Sequence, residues 1–222
     1  MIYSDLGRRS YEAALRIQRR LLDEVISGGD GPARLMLLEH DPPVITLGRS
    51  AGGGHILASP DRLRREGIEV RESDRGGDVT YHGPGQLVGY PIIQLARRGR
   101  TVRGYVRSLE EVIIRLLGRF GLEGRRPEGL TGVWVGDEKV AAIGIAVKRW
   151  VAWHGFALNV STNLSHFDFI VPCGLDGCKV TSMEKLLDRP VQISQVRRYL
   201  IECMGEVFGF DSVREEQGCL RM

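Results

Sequence analysis

The chain has 222 residues, enough for one large domain, with an ordinary hydrophobic share of 42% and a net charge of only +3. Its first ten residues carry Asp5, Arg8 and Arg9 without an apolar run, and nowhere do roughly 20 apolar residues follow one another, which speaks against a signal peptide and against a membrane span. No basic stripe with interleaved aromatics is present, so a nucleic-acid partner is not expected, and the chain reads as one cytoplasmic domain over residues 1–222.

Tyr11, Ala14, Leu15, Leu21, Leu22 and Val25 form an apolar stripe that predicts a helix from Tyr11 to about Ile26, capped by Ser10 and stopped by Gly28-Gly29. Strands at 34–39 and 44–47 flank the Asp41-Pro42-Pro43 turn. After Gly52-Gly53-Gly54, Ser59-Pro60 opens a short helix that ends at Gly67. Strands follow at 68–71, 79–82 and 87–93. A helix over 102–120 is capped by Thr101, lined by Tyr105, Leu109, Ile113, Leu116 and Phe120, and ended by Gly121. Strands at 132–135, 139–147 and 151–160 then make a meander, and helices are expected near 182–187 and 194–208. Short turns between strands favour antiparallel pairing. The expected class is α+β, a mixed and mostly antiparallel sheet with helices packed on one face.

Four cysteines, Cys173, Cys178, Cys203 and Cys219, lie in the C-terminal part with no paired-bridge or zinc spacing. Cys203 falls on the apolar stripe of the last helix and reads as core; Cys219 reads as incidental. Cys173 stands in Ile-Val-Pro-Cys-Gly, where Pro172 and Gly174 place the sulfur on a turn. A free cysteine is usually buried and inert, but a turn makes it reachable, and a reachable thiolate is a nucleophile. Cys178 is close enough in sequence for a reversible disulfide with it.

Only four residues are lysine, against 27 arginines, which reads as codon bias and makes each lysine conspicuous. Lys139 starts an alternating strand and is in register with Ala141, Ile143, Ile145 and Val147. A lysine there either snorkels to water or is held inside, where desolvation favours the uncharged amine, a base for a thiol. The segment 75–86 has four glycines in twelve residues, which bares backbone N–H groups to a ligand; it does not match a phosphate-binding P-loop. His154 precedes Gly155 on a strand and is in phase with Phe156 and Leu158, which reads as a satisfied core histidine.

These segments in this order, RGGDVTYHGPGQLVGYP (75–91), KVAAIG (139–144), HGFALNV (154–160), IVPCG (170–174) and VTSM (180–183), resemble the lipoyl(octanoyl) transferase family of lipoate biosynthesis. The likeness covers most of residues 35–185. It implies a fold related to biotin and lipoate protein ligases and a catalytic Cys/Lys dyad at Cys173 and Lys139. It also implies an acyl pocket made by Arg75, Gly76, Gly77, Asp78, Val79, Thr80, Tyr81 and His82, by Ala142, Ile143 and Gly144, and by Gly155, Phe156 and Ala157. The donor would be octanoyl–acyl carrier protein. The acceptors would be lysines of the lipoyl domains of 2-oxoacid dehydrogenases and of the glycine cleavage H protein. Neither metal nor cofactor is implied. The oxyanion of the reaction is expected beside Gly76-Gly77. Three rivals remain open at this level: an ATP-dependent lipoate or biotin ligase, a Cys–His hydrolase pairing Cys173 with His82 or His154, and a carrier-binding module without catalysis.

Overall fold

The computed structural model describes residues 1–28, 31–52, 54–96, 99–175 and 177–216. In chain order its elements are β1 (Ile2–Arg9), α1 (Tyr11–Ser27), β2 (Arg34–His40), β3 (Val44–Leu47), α2 (Pro60–Arg65), β4 (Glu69–Glu72), β5 (Val79–His82) and β6 (Gln86–Gln94). These are followed by α3 (Val102–Gly118), β7 (Gly124–Arg125), β8 (Val133–Val135), β9 (Glu138–Lys148), β10 (Val151–Asn159), α4 (Met183–Leu187), α5 (Ile193–Phe208) and β11 (Arg214–Glu215). Eight strands form one sheet in the order β11-β1-β2-β6-β10-β9-β8-β7, and β4-β3-β5 form a smaller one. Among the described strands β1 pairs in parallel with β2 and β11, and β3 with β4, while the other strand pairs are antiparallel; an isolated bridge joins Lys139 and Val180 in parallel. The mixed, mostly antiparallel α+β class is therefore the one the chain adopts.

The helices start where short polar side chains satisfy free N–H groups. Ser10, Ser59, Thr101 and Ser182 each accept from an N–H three residues on. The helices do not all lie on one face, as the sequence had led us to expect. Leu35 and Leu37 of β2 belong to the core under α3 and α5, while Met36 and Leu38 belong to the core under α1. The physical reason is visible in β2 and β6, which run Leu-Met-Leu-Leu and Leu-Val-Gly-Tyr-Pro-Ile-Ile without polar alternation; a strand buried on both faces needs a cover on both. No described helix is long and apolar enough to cross a membrane.

β1 was not expected from the sequence. Within it only Ser4 and Leu6 are buried, so its hydrophobic signal is thin, and it owes its conformation to hydrogen bonding between β2 and β11. The small sheet packs Ile45, Val79 and Tyr81 against Leu63, Ile68, Phe167 and Ile170. Its strand β5 brings the glycine-rich segment to the side of the large sheet that α1 covers.

His40 is fully buried at the end of β2. Its Nδ1 donates to the Arg9 carbonyl at 3.2 Å, which leaves Nε2 to accept from the Tyr90 hydroxyl at 2.7 Å. Burial pulls this imidazole down to about 4, opposed slightly by the Arg9 carbonyl. The unfolded chain binds a proton at this residue near about pH 6.5, so between the two values the unfolded state holds more protons and stability falls as pH falls. We expect the urea-unfolding free energy near pH 4 to lie about 3 kcal/mol below that near pH 7 on account of His40 alone, with His40→Gln flattening the slope. His82 and His154, also held down by burial, act in the same direction.

Candidate active site

Cys173 sits in a 3-10 turn, Pro172–Gly174, with φ +59° and ψ 17°, the left-handed region that L residues avoid. The turn is closed by Gly174 N–H to the Val171 carbonyl (3.0 Å) and Leu175 N–H to the Pro172 carbonyl (3.1 Å). Its entry is strapped to the segment before α2: Val171 N–H donates to the His55 carbonyl at 2.9 Å and Leu57 N–H to the Phe169 carbonyl at 2.8 Å. A nucleophile held in a strained turn by outside hydrogen bonds is a common device of functional sites.

Lys139 meets this sulfur from β9. Its Nζ lies 3.0 Å from Cys173 Sγ and 4.7 Å from the centre of the Trp134 ring, and the residue is only 5% exposed. Among the described residues no carboxylate forms an ion pair with it. Of the two readings left open by the sequence, held inside or snorkelling, the structure selects the first. Its strand phase differs from the expected one, however. Val133 pairs with Ala141 but Trp134 pairs with Lys139, so β9 carries one extra residue at Val140. Val140 and Ala141 both enter the core under α3, and Lys139 is thereby rephased onto the face of Ala142 and Gly144. Gly132, at φ +124°, leaves room for the amine; a Cβ there would stand 2.8 Å from Lys139 Cε. Its N–H is held by the buried Glu110 carboxylate at 3.1 Å.

A narrow, mainly apolar cavity of about 230 Å³ runs from this pair along the α1 face of the sheet. Its walls contain Arg75, Gly76, Gly77, Asp78, Val79, Thr80 and His82, then Ala142, Ile143 and Gly144, and Gly155, Phe156 and Ala157. The expected pocket residues are thus brought together with one exception. Tyr81 points the other way along β5, packing edge-on against Phe167 and sharing its hydroxyl with His166 Nδ1 at 2.8 Å. Tyr81 shares the strand phase of Val79, and both enter the core of the small sheet, although Val79 also borders the cavity. Gly155 is needed where the cavity passes β6, because a Cβ would overlap the Gly89 carbonyl oxygen.

Arg75 is buried, and among the described residues its hydrogen-bond acceptors are neutral. Its Nη2 donates to the Thr46 carbonyl (2.8 Å) and hydroxyl (2.9 Å), and Nη1 to the Gly76 carbonyl (3.1 Å). Burial draws this guanidinium below its usual range, and the nearby Cys173 opposes the shift. The Gly76 N–H, one of the donors expected to meet an oxyanion, is already committed to the Ile145 carbonyl at 2.8 Å.

His154 is buried and satisfied, as expected, but not on the face of Phe156 and Leu158. At φ +57° its ring turns to the other side, stacks on Trp153 at 4.1 Å and bonds Asp74 at 2.9 Å. Tyr11, Thr46, Ser73, Tyr90 and the 129–131 loop also line the cavity and carried no local signal; they arrive through tertiary packing. Cys203 is buried in the core, and Cys219 lies outside the described residues. Burial pushes the Cys178 thiol up, with Lys139 pulling against it, which disfavours its thiolate.

A buried amine 3.0 Å from a half-buried thiol can take its proton, and the adjoining cavity exposes more apolar than polar surface. Residues 10–205 match the family described as lipoyl protein ligase A/B catalytic domain. The chain is 49% identical to the octanoyltransferase of Geobacter metallireducens over 89% of both chains, and 51% identical to that of Caldicellulosiruptor bescii over 92% of this chain and 90% of the other. In fold it is similar to a bipartite lipoate protein ligase of Thermoplasma acidophilum, with a TM-score of 0.72 at 18% identity over 96% of this chain and 85% of that one. A biotin protein ligase of Aquifex aeolicus gives 0.57 at 10% identity over 94% and 70%.

Proposed function

The chain belongs to the lipoyl protein ligase A/B catalytic family and is an enzyme that transfers octanoyl groups in protein lipoylation, and on that footing we propose that it does so through a Cys173–Lys139 dyad and an octanoyl thioester on Cys173. The observation that carries this reading is the 3.0 Å approach of Lys139 Nζ to Cys173 Sγ at the mouth of the apolar cavity.

The donor is an octanoyl thioester carried by acyl carrier protein, and the acceptor is a lysine of a lipoyl domain, in 2-oxoacid dehydrogenases or the glycine cleavage H protein. Lys139 takes the Cys173 proton and the sulfur attacks the thioester carbonyl. Arg75 also lines the cavity, and its guanidinium is the group to which we assign stabilisation of the oxyanion. As the intermediate collapses, the carrier thiolate leaves and takes the proton back from Lys139. The acceptor amine then attacks the acyl-enzyme, Lys139 receives the amine proton, and it returns that proton to the departing Cys173 sulfur. A thioester becomes an amide, which is downhill, so ATP is not required. This separates the reading from an adenylate-forming ligase, whose relatives share the fold at 10–18% identity. We place the reaction in the cytoplasm, where thiols such as Cys173 and Cys178 stay reduced.

Incubation of the enzyme with octanoyl-carrier protein and apo lipoyl domain, without ATP, should give octanoylated domain by mass spectrometry. Release of free octanoate without an acceptor would instead indicate a hydrolase. The cavity also sets the chain length. Ala142→Leu adds three carbons to its wall and should lower octanoyl transfer on the order of tenfold while a butanoyl donor is still used, measured as the ratio of kcat/KM for the two donors.

A further inference from the structure

A chain of buried amides leads from the glycine-rich segment to the main chain of Lys139. Asn159, at the end of β10, donates from Nδ2 to the Thr181 carbonyl at 3.0 Å. Thr181 in turn donates its N–H to the Lys139 carbonyl at 2.9 Å, and the Lys139 N–H is held by the Lys179 carbonyl at 2.8 Å. This is the point where β10 no longer covers β9: the last pair between them is Leu158 with Ala141. The 179–181 segment takes over the edge, bridging Lys139 at Val180, and Asn159 reaches it through the Thr181 carbonyl.

The other side of the amide is equally committed. Asn159 Oδ1 accepts from Gln86 Nε2 at 2.9 Å, and Gln86 Oε1 lies 2.8 Å from His82 Nδ1. A carbonyl oxygen can only accept, so each assignment forces the next. Thr181 O requires the Asn159 amide nitrogen, Asn159 O requires the Gln86 nitrogen, and Gln86 O requires a proton on His82 Nδ1. Burial holds His82 far below its ordinary value, hence neutral, so its Nε2 carries a lone pair. Gln86, Asn159 and Thr181 are each no more than 3% exposed, and Gln86 and Asn159 line a small void behind Lys139 and Cys173.

We propose that Gln86 and Asn159 are positioning residues for octanoyl transfer: through Thr181 they set where the Lys139 amine meets the Cys173 sulfur, and in the same chain they lock the His82 proton on Nδ1. This rests on the dyad reading. Neither amide touches the reacting atoms, so the loss of either is read through the thiol. Asn159→Ala removes the donor to Thr181; Asn159→Asp keeps the volume but cannot donate, and serves if the alanine variant is unstable.

The experiment is the rate of Cys173 alkylation by iodoacetamide as a function of pH, followed on the Cys173 peptide by mass spectrometry, in the wild type, both Asn159 variants and Lys139→Ala. Each Asn159 variant is expected to alkylate about tenfold more slowly on the acid side and at the wild-type rate at alkaline pH, one unit of displacement toward the Lys139→Ala profile. kcat for octanoyl transfer should fall with KM little changed. If Lys139→Ala shifts the profile while both Asn159 variants superimpose on the wild type with only a lower Tm, the amides are structural and the inference fails alone. If Lys139→Ala itself superimposes on the wild type, the dyad fails and the inference with it.

Discussion

Cys173→Ala is expected to abolish octanoyl transfer, by on the order of 10⁴-fold or more, since the proposed mechanism carries the acyl chain on this sulfur. The wild-type enzyme mixed with octanoyl-carrier protein alone should show one octanoyl adduct by intact mass, and peptide mapping should place it on Cys173. The variant should show none, yet still bind the donor, because the rest of the cavity lining is unchanged. Cys178 is the internal control. It lies within electrostatic reach of both Lys139 and Cys173, and burial pushes its thiol up. An adduct mapped to Cys178, or undiminished transfer by Cys173→Ala, would move the chemistry away from the 3-10 turn and overturn the mechanism.

Lys139→Ala should slow acylation by about 10²–10⁴-fold, the usual worth of a positioned general base. The deficit has a pH signature. A solution thiol ionises near about pH 8.5, so the variant should recover much of its acylation rate in alkaline buffer, where the sulfur no longer needs a base. Stopped single-turnover acylation at several pH values measures this directly. A deficit independent of pH would mean that Lys139 holds the substrate or the fold rather than the proton. Lys139→Arg should not rescue, because a guanidinium stays charged and the space beside Gly132 and Trp134 is cut to an amine.

Much of this site could be read from the chain before folding. The turn around Cys173, the caps at Ser10, Ser59 and Thr101, and β3 and β5 are local matters, and local chemistry dictated them. What was misread is non-local. Simple alternation puts Lys139 with Ala141 and Ile143, on the side that α3 covers. The extra residue at Val140 reverses that, and nothing in Lys-Val-Ala-Ala-Ile announces a bulge. His154 left its expected face for a similar reason, since its positive φ is supported by Gln18 of α1, whose Oε1 accepts the His154 N–H at 3.2 Å. Tyr81 lies inside a contiguous motif, but its ring is drawn into the small core by Phe167 and His166, contacts that the motif does not announce. α1 lies across the sheet from α3 and α5 because β2 and β6 are apolar on both faces, a signal that was present in the sequence as unbroken hydrophobic runs.

The left-handed backbone at Cys173 sets function and robustness against each other at a single residue. Glycine there would relieve roughly 1–2 kcal/mol of conformational strain and would also delete the sulfur. Selection for heat tolerance alone would therefore drift toward a sturdier protein that does nothing, so any thermostable relative engineered from this chain has to gain its margin elsewhere and leave this one uncomfortable bend alone.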